Sequence, residues 1–339
     1  MFTMMIYVHC QWRPPINQAE YDSYGSLLAM NEHLAIFAQN DKSQFSIITN
    51  PTTPALSHYC SARYITIEHY PKSWTYFIYS LAIGAKQNST QLYFAYIDED
   101  WRNDVFLSVV RFEKRDSGCV AIDAYFSIYL GTEYMRESCI VGMDPYGKRA
   151  YAVGVFYTIF VDIETGQEYI VYHSDLHGGL SYFQIFFPKA MVVTDDNQLF
   201  IVGQRQISSE YHPYLYLFDF SDISMVTYHT SIELSTFNYG QEAINMNRYT
   251  FMSISINERS RKVLVGIPSL DMIVFLTYNV TNYVMIAGYH VLNKTGTGYG
   301  KSVTLLDNHT YAVLAYELPT LPWSTSQIQV RRNIRSTFV

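Results

Sequence analysis

The residues best suited to chemistry in this 339-residue chain are spread along it rather than clustered. The acidic stretch Asp98-Glu-Asp-Trp-Arg-Asn-Asp104 offers hard oxygen ligands of the kind that hold calcium. It lacks the Gly and the closing bidentate Glu of a calcium loop, and therefore reads as a solvated loop. His177-Gly178-Gly179 has the form of an oxyanion-hole loop, but no nucleophile motif accompanies it. Ser302 stands in Gly-Lys-Ser-Val-Thr rather than at a Gly-x-Ser-x-Gly elbow, and no His-Glu-x-x-His occurs. The pairs Glu68-His69, Tyr172-His173, Tyr228-His229 and Tyr289-His290 each fall at the close of an expected outer strand. One histidine per repeat around a rim cannot converge on a metal, so these read as a structural repeat position. No catalytic residue, metal or cofactor is assigned on this basis.

What positions these residues is a repeated set of four strands. Leu34-Ala-Ile-Phe-Ala38, Leu92-Tyr-Phe-Ala-Tyr96, Ala150-Tyr-Ala-Val-Gly154, Leu199-Phe-Ile-Val-Gly203, Val263-Leu-Val-Gly266 and Tyr311-Ala-Val-Leu-Ala315 occupy the same place in successive units. Short apolar runs separated by turn chemistry and recurring at roughly 50 to 60 residues are the mark of a propeller blade. Gly or Ala at five of these six strand ends suits a close approach of neighbouring backbone. Turns precede most of them, at Asp144-Pro145-Tyr146-Gly147, Asp195-Asp196-Asn197, Asn257-Glu258-Arg259 and Asp307-Asn308-His309. A third strand follows, as in Tyr214–Phe220 and Met272–Tyr278, and then a second turn such as Glu164-Thr-Gly166. The strands are apolar on both faces, as expected of sheets sandwiched between sheets, and the 16% aromatic content fills the wedges between them.

The expected fold is an all-β propeller of six four-stranded blades over 26–69, 76–128, 138–173, 189–229, 250–290 and 302–330. The N-terminal strand 5–11 completes the last blade, making a single domain of residues 1–339. The alternative is a seven-bladed, truncated propeller, motivated by the tail Arg331–Val339, which breaks the pattern. A net charge of −7 excludes a nucleic-acid surface, the only basic cluster being Arg331, Arg332 and Arg335. The longest apolar stretch, Trp74–Ala85, is too short to span a bilayer, and Met1–Trp12 lacks the features of a secretory signal.

Four cysteines, Cys10, Cys60, Cys119 and Cys139, have no Cys-x-x-Cys spacing. They allow two disulfides, with Cys119–Cys139 joining one blade's outer strand to the next blade's entry, or four buried thiols. Sequons at Asn88, Asn279, Asn293 and Asn308 all fall in expected turns or loops. Together these favour an extracellular or secreted glycoprotein over a cytoplasmic one.

Two families share parts of this pattern. Gly298-Tyr-Gly-Lys-Ser-Val-Thr-Leu-Leu-Asp307, with Val263-Leu-Val-Gly-Ile-Pro-Ser269 and Met272–Leu276, resembles the FG-GAP repeat of integrin α-chain propellers. Asp144–Val171, with its Asp-Pro-x-Gly turn, Tyr-x-x-Gly strand end and Asp-x-x-Thr-Gly turn, resembles a YVTN/lactonase-type repeat. The resemblance implies a propeller of the kind found in large extracellular multidomain proteins, with adhesion or ligand binding as its work. The alternating Asp/Asn calcium loop of FG-GAP repeats is missing from the turns at Asn257 and Asp307, so no calcium is expected there.

Binding is expected on loops that join second to third strands and one blade to the next, which share one face of the disc. The longer ones are Asp98–Asp104, Gln204–Pro213, Thr230–Tyr249 and Glu317–Ser326, displaying Trp101, Arg205, Tyr211 and Trp323 as anchors. The function expected is a non-catalytic binding module for a protein or glycan ligand. A propeller enzyme of lactonase or lyase type, marked by His and carboxylate side chains together in the axial channel, and a cytosolic adaptor are the alternatives.

Overall fold

Residues that alternate along each central strand bury both sides of it, and this organises the molecule. The computed structural model describes residues 26–39, 42–49, 58–63, 75–87, 92–100, 104–115, 118–131, 139–174, 186–207, 209–234, 251–279, 285–293, 299–305, 310–316 and 326–332. These form antiparallel sheets in which strands follow one another in chain order. The first sheet holds β1 (Ser26–Met30), β2 (Leu34–Gln39), β3 (Lys42–Thr49) and β4 (His58–Arg63). The second holds β5 (Thr75–Ile83), β6 (Leu92–Asp100), β7 (Val105–Arg115) and β8 (Gly118–Gly131). The third holds β9 (Ile140–Met143), β10 (Arg149–Val153), β11 (Tyr157–Asp162) and β12 (Glu168–Tyr172). The fourth holds β13 (Phe186–Val193), β14 (Gln198–Ile207), β15 (Glu210–Asp219) and β16 (Thr227–Glu233). The fifth holds β17 (Ser253–Asn257), β18 (Lys262–Ile267), β19 (Met272–Tyr278) and β20 (Met285–Asn293). A three-stranded sheet of β21 (Ser302–Leu305), β22 (Thr310–Tyr316) and β23 (Ser326–Arg332) comes last. Short 3-10 turns at Ile223–Met225 and Pro268–Leu270 interrupt the connections.

The first strands β1, β5, β9, β13, β17 and β21 lie alongside one another in that order, and the later strands fan outward from them. The result is an all-β structure with its sheets arranged as in a propeller. On β10, Ala150 and Ala152 join the apolar cluster with the second sheet, while Tyr151 and Val153 join the cluster with the fourth. On β14, Leu199 and Ile201 face the third sheet, and Phe200 and Val202 face the fifth. The period-2 geometry of a strand thus turns a continuous apolar run into two buried faces. All six expected second strands are found, as β2, β6, β10, β14, β18 and β22.

Turn chemistry also holds. The N–H groups of Tyr146, Lys148 and Arg149 donate to the Asp144 carboxylate at 2.8, 3.0 and 2.6 Å, and Gly147 takes φ 73°. At Glu164-Thr-Gly166, the Thr165 N–H donates to Asp162 Oδ1 at 2.9 Å and Gly166 takes φ 71°. The small strand ends have different causes. A Cβ on Gly266 would sit 2.0 Å from the carbonyl oxygen of Gly300, on the segment that enters β21. At Gly203 it would meet the Phe186 ring and the Phe187 carbonyl, where β13 bulges between Pro188 and Ala190.

Several expectations are corrected. Asp98 and Glu99 are not in a solvated loop but buried on β6, which runs to Asp100, and the expected loop from Thr230 begins as strand, since β16 runs to Glu233. Gln204–Pro213 is not a loop, because β14 and β15 stay paired out to Ile207 and Glu210. The extension pairs Gln204, Arg205, Gln206 and Ile207 with Pro213, His212, Tyr211 and Glu210, so backbone pairing rather than strand propensity carries the ladder that far. Tyr228-His229 and Tyr289-His290 do not close their strands; β16 continues to Glu233 and β20 to Asn293. Cys139 is a free thiol, packed into the apolar cluster between the second and third sheets, so it forms no disulfide with Cys119, which stands on β8. Burial pushes its thiol pKa upward, consistent with a small apolar role. Cys60 stands on β4. Cys10, the N-terminal strand 5–11, Glu68-His69 and His177-Gly-Gly179 lie outside the described residues.

Replacing Gly266 with Ala should lower the urea midpoint, because a rigid backbone carbonyl occupies the Cβ position. The expected loss is about 1–3 kcal/mol, the usual range for overpacking. An unchanged midpoint would show that Gly300 yields freely.

Candidate functional site

Polar groups gather at two ends of the structure. Turns from first to second strands lie at one end, and hairpins from second to third strands at the other, because the second strand separates them.

At the first end, neighbouring sheets are tied turn to turn. Asn31 accepts the N–H groups of His33 and Leu34 on its Oδ1 and donates from Nδ2 to the Gly84 carbonyl at 2.8 Å. Lys86 donates its backbone N–H to the Pro145 carbonyl at 2.6 Å. Its ammonium pairs with Asp195 of the fourth sheet and passes 5.8 Å from the Tyr146 ring. The Asp195 N–H donates to Glu258 Oε2 of the fifth sheet at 3.2 Å. The Asp195 partner raises the Lys86 pKa, and burial raises that of Glu258. This end is knit together turn to turn, and among the described residues no group of His, Cys, Asp and Glu could hold a metal ion.

The second end is different. On β15 and β16, His212 Nδ1 lies 3.0 Å from Glu233 Oε1, and Tyr214 Oη donates to Glu233 Oε2 at 3.0 Å. His212 Nε2 stands 3.5 Å from Glu210 Oε2, with the His212 side chain 13% exposed. The Arg205 guanidinium on β14 lies 5.4 Å from the centre of the Tyr214 ring. Cross-strand register explains the grouping: Arg205 pairs with His212, and Tyr214 pairs with both Gly203 and Glu233. Residues two apart on one strand share a face. Burial raises the Tyr214 pKa, and the Glu233 carboxylate raises it further.

Of the expected binding residues, Arg205 belongs to this group. Tyr211 sits on the same hairpin but on its other face, against the cluster with the fifth sheet and 5.6 Å from the Phe187 ring. The two are not brought together. Trp101 and Trp323 lie outside the described residues, as do the sequon residues Asn88 and Asn308. Asn279 is half-buried just after β19, and Asn293 ends β20. His212, Tyr214 and Glu233 were not singled out from sequence. Their signal is the placement of His212 and Tyr214 two apart, visible only once Gln204–Pro213 is recognised as strand.

Two other histidines of the described residues, His229 and His173, have partners elsewhere. His229 Nε2 pairs with Asp219 Oδ2 at 3.2 Å. His173 is buried, with Nε2 3.0 Å from Thr158 Oγ1 and its ring 5.6 Å from that of Phe218. Burial lowers its pKa to about 4.

No protein-family model matches the chain, and no curated protein matches it in sequence. Among solved structures, a protein from Lactobacillus plantarum is similar over 89% of this chain and 82% of its own, with TM-score 0.51 and 12% identity. The major allergen Mala s 1 of Malassezia sympodialis is similar over 86% of each chain, with TM-score 0.50 and 9% identity. A putative 6-phosphogluconolactonase from Bacteroides uniformis aligns over 78% of this chain and 70% of its own, with TM-score 0.47 and 8% identity. At such identities the likeness is one of fold. The class so defined is a β-propeller protein, and the likeness does not extend to FG-GAP repeats in particular.

His173 carries a pH prediction. Its folded pKa of about 4 lies below the ordinary 6.5, so its neutral form contributes stability above pH 6.5 that is lost as pH falls toward 4. That loss amounts to about 3 kcal/mol. In urea titrations across this window, His173→Gln should lose less stability on acidification than the natural chain. Equal slopes would remove His173 from the acid response.

Proposed function

We propose that the chain is one domain, a six-bladed propeller over 1–339 whose strand 5–11 completes the sheet of β21–β23, and that it is an enzyme of lactonase type. The observation that carries the enzymatic reading is the His212–Glu233 pair with Tyr214 on the second carboxylate oxygen. A carboxylate at Nδ1 orients the ring, and the nitrogen left to act as base is Nε2, which stands 3.5 Å from Glu210 Oε2. The Asp144–Val171 resemblance to lactonase-type repeats supplies the substrate class, a cyclic ester.

The chemistry follows from these groups. His212 Nε2 takes a proton from water as the water oxygen bonds to the lactone carbonyl carbon. The ring C–O bond then breaks, and the leaving oxygen takes the proton back from His212. Glu233 stabilises the transient imidazolium, and Tyr214 holds Glu233 in place. The pair stands on the outer strands β15 and β16 rather than on an axial strand, so the site lies between blades and not in the channel expected of a lactonase.

Against a panel of γ- and δ-lactones, the chain should hydrolyse at least one above buffer. His212→Ala and Glu233→Gln should each reduce the rate by about 10²–10⁴-fold, the usual worth of general acid–base assistance. No hydrolysis, or a rate indifferent to His212→Ala, would overturn the reading.

A second reading, a non-catalytic extracellular module for a protein or glycan ligand, is favoured by the four sequons. Secreted from eukaryotic cells behind a supplied signal peptide, the chain should lose mass on glycosidase treatment if this reading is correct. An unsecreted or unmodified product would favour a cytoplasmic protein.

A further inference from the structure

Arg205 Nε and Tyr216 Oη are buried and have no hydrogen-bond partner among the described residues. Tyr216 is completely buried, whereas buried polar groups are otherwise nearly always satisfied. Burial holds its hydroxyl well above the ordinary phenol pKa, with Arg205 acting in the opposite sense, so at neutral pH the hydroxyl keeps its proton and can donate it. Two donors therefore stand without acceptors on one face of one sheet. They share a face of the sheet: Arg205 pairs with His212, four residues from Tyr216 on the same strand, the Tyr214 ring between them lies beside the Arg205 guanidinium, and Phe186 pairs with Arg205 in register and packs a tilted ring on Tyr216 with ring centres 4.1 Å apart. The nearby carboxylate of Glu233 is engaged by His212 and Tyr214 and does not satisfy these donors.

We infer that Arg205 and Tyr216 form a subsite for an oxyanion carried by the ligand, a carboxylate or a phosphate, beside the His212–Glu233 pair. The inference rests on the catalytic reading only for the role of the ligand as substrate; the anion subsite stands on its own unmet donors. Guanidinium and phenol together suit an anion, since charge-assisted hydrogen bonds from a planar fork are strong and directional. Such a site also carries a cost when empty, because unmet buried donors lose their hydration without recompense.

Titration calorimetry with sodium phosphate and with sodium gluconate separates the two anion sources. At least one should bind saturably. Arg205→Gln and Tyr216→Phe should each weaken it tenfold or more, while His212→Ala leaves it within twofold. Tyr216→Phe keeps the ring and removes the unmet hydroxyl, so without ligand it should melt no lower than the natural chain, which keeps the test independent of misfolding. Absence of saturable binding by both anions, or binding indifferent to Arg205→Gln and Tyr216→Phe, would overturn the subsite. Anion binding with this mutational pattern but no lactone hydrolysis would retain the subsite and overturn the catalytic reading alone.

Discussion

The structure depends on central strands that bury both faces against neighbouring sheets. Phe94 and Tyr96 of β6 pack toward the first sheet, and Ala95 and Ile97 pack toward the third. The same division recurs on β10, β14 and β18, so each sheet completes the core of its neighbours rather than owning one. Apolar burial of roughly 25 cal/mol per Å² is non-directional, and by itself fixes neither the angle nor the register between sheets. Large side chains in these wedges must also place their polar tips. The Tyr151 hydroxyl reaches Asn197 Oδ1 at 2.9 Å and Tyr157 reaches the Leu130 carbonyl, each crossing to another sheet.

Direction comes from the strand ends. Backbone meets backbone at Gly266 and Gly300, where no Cβ fits, and the Ser253 hydroxyl donates to the Gly300 carbonyl at 2.9 Å. Asn31, Lys86 and Asp195 tie successive turns in the same way. Lys86 is about half exposed, so its pair with Asp195 contributes at most about 1 kcal/mol. Its effect is geometric: it joins the second sheet to the fourth over the turn of the third. Short, specific contacts at the rims align what apolar packing merely holds together.

How much of this was legible varies by residue. The second strands, the Asp144 and Asp162 turns and the two-faced apolar pattern follow from local sequence, because strand period and turn dihedrals are local properties. Gln204–Pro213 was misread because Gln204, Arg205, Gln206, Glu210 and His212 look like solvated loop, and only cross-strand pairing over the whole hairpin shows them as strand. His229 looked like a strand end for a similar reason: β16 runs on through partly buried Thr230, Ser231, Ile232 and Glu233, whose burial depends on neighbours far away in sequence. Arg205 and Tyr211 are singled out from residue type alone, and their placement on opposite faces of the hairpin follows from strand alternation, which a presumed loop does not have. The pairing of His212 with Glu233 spans two strands and is a product of register, which single-residue reading cannot supply.

The β14–β15 hairpin changes character along its length. From Leu199↔Phe218 to Val202↔Leu215 every pair is buried, with the Tyr216 hydroxyl the one side-chain polar atom among them; from Arg205↔His212 to Ile207↔Glu210 the pairs are mixed and partly exposed. The ladder therefore extends past the core that justifies it. Stability alone does not account for what was placed there, since a partly buried ion pair returns little more than its desolvation costs, and apolar residues of similar size would serve the wedge as well or better. Tyr216 sharpens the point, because phenylalanine would fill the same space without an unmet hydroxyl. An unmet hydroxyl on the same sheet face as a histidine held by a carboxylate is accounted for by a ligand and not by packing, which is why we place the oxyanion subsite there.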